Sequence, residues 1–139
     1  MLDANWYGGY KYYDYTNAEG KVIRLQGKLE PVIAAKIEQR GWVVRKCTMS
    51  IPYTDPDGRS RHYFPDFVAV SPDGRKRIVE VKSAYTFSDK FYPVIEAKAL
   101  AAKRWCKRTG ADYVVVVSAT DRIHTIVNPT RKSLKSVLH

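Results

Sequence analysis

The stretch Tyr63-Phe-Pro-Asp66-Phe-Val-Ala-Val70-Ser-Pro-Asp-Gly74-Arg-Lys-Arg77-Ile-Val-Glu80-Val-Lys82 carries most of what the sequence says about the fold. Ser71-Pro-Asp-Gly74 has Pro at the second position and Gly at the fourth, the chemistry of a type I turn. Flanked by Asp66-Phe-Val-Ala-Val70 and Arg77-Ile-Val-Glu-Val81, it reads as the tip of an antiparallel hairpin. Ser71 then pairs with Arg75, and counting back along both strands sets Asp66 opposite Glu80. Opposed residues point to one face with Cβ atoms about 4.5–5.5 Å apart. Lys82, two residues beyond Glu80, shares that face.

Two carboxylates this close repel each other, and one is forced to hold its proton unless a cation lies between them. A hard divalent ion such as Mg²⁺ prefers carboxylate oxygens and keeps several waters. A water acidified by such an ion can attack a phosphodiester, and a neighbouring Lys can orient it or stabilise developing charge. The competing reading is a hairpin with a solvated polar face. Ile78, Val79 and Val81 around the charges describe a buried strand, where unpaired charge is costly, and this favours a site.

Working outward, Asp55-Pro-Asp-Gly58 repeats the turn chemistry between Ile51-Pro-Tyr-Thr54 and Arg59-Ser-Arg-His-Tyr-Phe64, extending the meander. Trp42 to Thr48 reads as a strand. From Lys28 to Arg40, Leu29, Val32, Ile33 and Ile37 recur at helical spacing, with Gly41 as the stop. Upstream, Tyr10–Tyr15 and Lys21–Leu25 flank Thr16-Asn-Ala-Glu-Gly20, an N-terminal β-hairpin at about residues 6–25. Downstream, a helix starts near Pro93, buries Ile95, Ala99, Ala102 and Cys106 and ends at Gly110. Asp112–Ser118 is nearly continuous in apolar residues, as in a strand covered on both faces. Ile123–Val127 is a further strand, and Pro129–Leu138 closes as a short helix. The expected fold is an α/β sandwich over residues 1–139, one domain with a central mixed sheet (antiparallel meander plus added strand) flanked by helices.

Lys and Arg number 24 against 14 Asp and Glu, a formal net charge of +10. Such a balance suits a polyanionic partner, because basic surfaces bind phosphates with counterion release. No apolar run reaches the roughly 20 residues that cross a bilayer. The first residues have no basic and apolar leader. A cytoplasmic setting, that of the host if the gene is phage-borne, follows, with Cys47 and Cys106 as free buried thiols. His62, His124 and His139 have no zinc spacing.

At Pro65-Asp66 and Glu80-Val81-Lys82 the chain resembles the PD-(D/E)XK, or restriction-endonuclease-like, nuclease superfamily. Within it the likeness is nearest to small phage-type enzymes with a Y-x-PDF strand: endonuclease I junction resolvases, TnsA-type transposon end-cleaving subunits and head-completion nucleases. The resemblance spans about Arg24 to Tyr113. It implies a metal site of Asp66, Glu80 and the Val81 carbonyl, with Lys82 assisting the nucleophile. Glu30, in a loose version of the family's helix-start motif, would bind a second metal or its water; the bland alternative is a charge complementing the helix dipole.

The function expected is a Mg²⁺- or Mn²⁺-dependent DNA endonuclease, structure-selective for branched DNA such as Holliday junctions, since the chain is short for an added sequence-reading domain. Cutting a junction needs two sites and hence a homodimer. Site-directed nicking or homing, transposon-end or head-completion cleavage, RNA processing, and a non-catalytic basic DNA-binding module are the alternatives. Lys98, Lys103 and Lys107, with Arg24, are candidate phosphate contacts; the three lysines equally suit the solvated face of a helix. Tyr10, Tyr12, Tyr13 and Tyr15 suit hairpin packing better than base stacking.

Overall fold

In the computed structural model, which describes residues 3–7, 10–84, 87, 90–119 and 122–137, three hairpins are turned by one device. At Asn17, Asp55 and Ser71 the backbone N–H bonds to the carbonyl four residues on, at 2.8, 2.9 and 2.9 Å. The glycine at each fourth position, Gly20, Gly58 and Gly74, sits at φ 77°, 82° and 87°, a left-handed conformation that other residues adopt at a cost. Side-chain oxygens of Asn17 and Asp55 close each loop by accepting two backbone N–H bonds. Ser71 Oγ accepts one, from Arg75.

These turns set the register. β7 (Phe67–Val70) pairs antiparallel with β8 (Lys76–Ser83) as Phe67↔Val79, Val68↔Ile78, Ala69↔Arg77 and Val70↔Lys76. This is the pairing that the Ser71–Gly74 turn dictates. The central sheet has five strands in the order β10-β9-β8-β7-β4, where β4 is Val43–Lys46, β9 Asp112–Ser118 and β10 Ile123–Val127. β8 and β9 run parallel, which demands a crossover; α2 (Tyr92–Thr109) supplies it. The α/β architecture with a mixed central sheet and flanking helices is as expected.

Each sheet face has its own core. α1 (Leu29–Gln39) lays Ile33 and Ala34 against Phe67, Ala69, Val79, Val81, Val114 and Val116. On the other face Ile95, Ala99, Ala102 and Cys106 of α2, the expected stripe, pack on Ile78, Tyr113, Val115 and Val117. β9 is thus covered on both sides. Leu134 of the short α3 (Arg131–Lys135) closes this second core.

Two expectations need correction. The expected N-terminal hairpin is present as β2 (Tyr10–Thr16) and β3 (Val22–Gln26), but its bounds of about 6–25 are too narrow, because β1 (Asp3–Tyr7) pairs with β2 and makes the unit a three-stranded sheet. The Gly8-Gly9 link between β1 and β2 is itself a two-residue hairpin signal. Glu38 ties this unit down, accepting from Tyr15 OH at 2.6 Å and from Ala18 N and Val44 N at 2.9 Å. Tyr15 therefore packs. Second, β5 (Ile51–Thr54) and β6 (Ser60–Tyr63) do not join the main meander but form a separate two-stranded ribbon. Ser60, Arg61 and His62 are exposed and lack the apolar faces that a central strand needs. Only the pair Ile51↔Tyr63 is buried, beneath α2. No helix among the described residues is long and apolar enough to cross a membrane.

Candidate active site

Strand alternation on β8 sends Val79 and Val81 toward α1 and Ile78 toward α2; Glu80 and Lys82 share the Ile78 side. Glu80 is 6% exposed. Its Oε1 accepts from Tyr63 OH at 2.6 Å and its Oε2 lies 3.0 Å from Lys82 Nζ. Both oxygens of this buried carboxylate are therefore partnered, as burial of charge requires.

Asp66 occupies the bend one residue before the first paired position of β7. Its Oδ2 accepts a 2.7 Å hydrogen bond from Val81 N, which anchors the carboxylate across the hairpin at the level of Glu80. Glu30, second residue of α1, accepts from Gln26 N at 3.1 Å. The structure thus brings Glu30, Asp66, Glu80 and Lys82 into one electrostatic cluster.

The fields within the cluster are strong. Burial, then the negative charges of Glu80 and Glu30, push the Asp66 carboxyl well above its ordinary range, against the Val81 N–H bond and Lys82. Burial chiefly raises Glu30 to about 7; Glu80 adds to the rise, while the Gln26 bond and the Lys46 and Lys82 charges oppose it. Burial disfavours the Lys82 ammonium, yet Glu80, Asp66 and Glu30 outweigh it and hold its pKa above normal. In the metal-free site the three carboxylates therefore favour the charged form of Lys82. The surplus of negative charge is what a cation relieves, and the donors are all hard oxygens, which fits Mg²⁺ or Mn²⁺. Among the described residues no three His, Cys, Asp or Glu side chains gather as a ready-made metal cluster. An ion here would take two carboxylates and complete its shell with carbonyl and water, as Mg²⁺ commonly does.

The candidate phosphate contacts separate. Lys98 is half-buried, with Nζ 5.4 Å from the ring centre of Tyr63 and 5.9 Å from that of Tyr53. Lys107, nine residues on, lies about half a turn away around the helix and is exposed; Lys103 is half-buried like Lys98 but lies well around the helix from it. Arg24 is on the N-terminal sheet, 3.8 Å from Asp14. His62 is exposed, His124 half-buried, and His139 lies outside the described residues.

Sequence reasoning left Tyr63 and Tyr113 unassigned. Tyr63 OH, besides holding Glu80, shares a 2.8 Å hydrogen bond with Tyr113 OH, and the rings meet edge to face at 6.4 Å. Tyr63 was visible as the first residue of the Y-x-PDF pattern. Tyr113 had no such signal.

The profile of the family described as "TnsA-like endonuclease N terminal" matches residues 37–118. No curated protein matches significantly. Among solved structures, the crystal structure of SSO0001 aligns with a TM-score of 0.42 at 16% identity, covering 79% of this chain and 51% of that one. The chain thus spans about half the length of that protein. The family match takes in more than half of the chain, including the β7–β8 hairpin with Asp66, Glu80 and Lys82, and stops short of Glu30. On that extent, the chain belongs to the TnsA-like endonuclease N-terminal family.

Proposed function

We propose that this chain is a divalent-metal-dependent DNA endonuclease with Asp66, Glu80, Lys82 and Glu30 as its working side chains. The observation that carries the reading is the 2.7 Å bond from Val81 N to Asp66 Oδ2, which holds Asp66 beside Glu80 and its partner Lys82. Asp66, Glu80 and the Val81 carbonyl would hold the ion, with Glu30 holding a second ion or its water. When bound, such an ion supplies Lewis-acid polarisation of the phosphodiester and of water near neutral pH.

The remaining work belongs to the protein. Lys82, beside Glu80, serves to orient the attacking water or to stabilise the charge that develops on the phosphoryl oxygens. Tyr63 holds one oxygen of Glu80 and Lys82 the other, so the carboxylate is oriented before substrate arrives. Val81 N–H does the same for Asp66. The excess of 24 basic over 14 acidic residues draws a polyanion to a site that is locally negative.

The test incubates the protein with supercoiled plasmid, a four-way junction and matched RNA, in Mg²⁺ and in EDTA, alongside Asp66→Ala. Metal-dependent cleavage leaving 5′-phosphates, lost in Asp66→Ala while DNA binding persists, is the expected outcome. Paired cuts across the junction by a homodimer would assign the branched-DNA form of the activity, and single nicks in plasmid the nicking form. Inertness of the wild type on every substrate refutes the proposal.

A further inference from the structure

Two lysines face this site, and only one has an anion. Lys82 Nζ lies 3.0 Å from Glu80 Oε2. Lys98, from the first half of α2, has neither an ion-pair nor a hydrogen-bond partner among the described residues; its ammonium rests against the faces of Tyr63 and Tyr53. Both oxygens of the buried Glu80 carboxylate, which the Tyr63 hydroxyl touches, are already taken by Tyr63 and Lys82.

A half-buried ammonium loses hydration, and ring faces compensate only in part. An exposed lysine on the same helix would bear no such cost, as Lys107 shows by lying in solvent. The Tyr63 ring also fixes where Lys98 is: its hydroxyl touches Glu80 while its face meets Lys98 Nζ. The ammonium therefore stands one aromatic ring from the carboxylate cluster. Burial, then the positive charge of Lys82, lower its affinity for the proton, while Glu80 and Asp66 oppose the effect. A second anion brought into the site would reverse that balance.

We infer that Lys98 is a further catalytic residue, a cation that contacts a phosphate of the cleaved strand at or next to the scissile position, with Tyr53 and Tyr63 as its platform. The inference rests on the nuclease reading above. It also distinguishes Lys98 from Lys103 and Lys107, which charge alone would group with it.

The experiment compares wild type, Lys98→Met and Lys98→Arg on a duplex substrate in Mg²⁺, measuring kcat/KM between about 50 and 200 mM NaCl. Met keeps the apolar stem over the rings and removes only the charge. Lys98→Met should lower kcat/KM roughly 10- to 100-fold, the loss expected of one charge-assisted contact. The log–log salt dependence should flatten by about 0.9, the loss of one phosphate contact. Lys98→Arg should recover most of the activity and the slope. Wild-type kinetics and salt slope in Lys98→Met overturn the inference, as does equal impairment of both variants with an unchanged slope, which marks a packing role. An inert wild type defeats the nuclease reading itself, and a cleaving wild type with an indifferent Lys98→Met defeats this inference alone.

Discussion

Glu30→Gln should stabilise the metal-free protein, and by an amount that depends on pH. The Glu30 carboxyl is raised from 4.5 to about 7, chiefly by burial, with the charge of Glu80 adding to it. A carboxyl that binds its proton more tightly when folded carries no penalty below the unfolded pKa. The penalty accumulates as pH rises from about 4.5 and is complete above about 7. Each tenfold gain in proton affinity on folding corresponds to about 1.36 kcal/mol, so the ceiling is about 3 kcal/mol, and the partial exposure of the side chain brings the expectation to about 1–3 kcal/mol. Gln is close to isosteric, carries no charge, and retains an oxygen to accept the bond from Gln26 N.

The assay is urea denaturation in EDTA at pH 4.5, 6 and 8 for wild type and variant. The two curves should nearly coincide at pH 4.5, separate at pH 6, and differ by the full amount at pH 8 with the variant more stable. Asp66, raised by burial and by Glu80 and Glu30, strengthens the effect, since removing the Glu30 charge also eases Asp66. A variant no more stable than wild type at pH 8 would refute the electrostatic account of the cluster, because the same fields underlie every role assigned to it.

Three other outcomes follow from local geometry. Tyr63→Phe removes the donor to Glu80 and the 2.8 Å partner of the fully buried Tyr113 hydroxyl; a loss of about 1–3 kcal/mol and a roughly 10-fold or greater rise in the Mg²⁺ midpoint for cleavage are expected, and unchanged values of both would remove Tyr63 from the site. Cys47 and Cys106 are buried, and burial pushes Cys106 up to about 12 and raises Cys47 as well; a thiol reagent at pH 8 should therefore find neither in the native protein and both in urea, whereas fast native labelling would contradict the packing beneath α2. Gly110 caps α2 at φ 77° with open space around an added Cβ; Gly110→Ala should cost about 1 kcal/mol, conformational in origin, and a much larger loss in thermal melting would mean a clash that the structure does not contain.

The β7–β8 hairpin was legible because turn chemistry is local. Pro72 and Gly74 specify the turn, the turn specifies the Ser71–Arg75 pairing, and the register runs from there to Phe67↔Val79; Asp66, expected directly opposite Glu80, lies in the bend just beyond the ladder and is joined to β8 by the bond from Val81 N. The β5–β6 ribbon was not legible in the same way. Its turn at Asp55–Gly58 is as plain, but whether a hairpin joins a larger sheet depends on which strand takes the free edge, and β4 pairs directly with β7. Tyr113 was hidden for a related reason. Its place beside Ile78 is set by the length and packing of α2, not by any neighbour in sequence. Lys98 is intermediate: the apolar stripe Ile95, Ala99, Ala102 and Cys106 fixes the helical phase and would have separated Lys98 from Lys107, yet only the tertiary placement of Tyr53 and Tyr63 shows what Lys98 meets.

The charge distribution argues against a purely structural origin for the cluster. With 24 basic and 14 acidic residues, a chain selected only for stability would scatter its few carboxylates among its many cations, as Glu19 does with Arg45 and Asp112 with Arg77. Instead Glu30, Asp66 and Glu80 are placed where Glu80 raises the proton affinity of Glu30, where Glu80 and Glu30 raise that of Asp66, and where Lys82 pairs with Glu80 at contact distance. Replacing Asp66 or Glu30 by a neutral residue should stabilise the metal-free fold, so keeping them costs stability. Under the proposed function that cost would be offset when a cation and an anionic substrate enter together, the cation answering the carboxylates and the phosphate answering Lys82 and, on the inference above, Lys98. Local destabilisation of this sign, set in a basic protein, is what the proposed metal-dependent site requires and what packing alone does not.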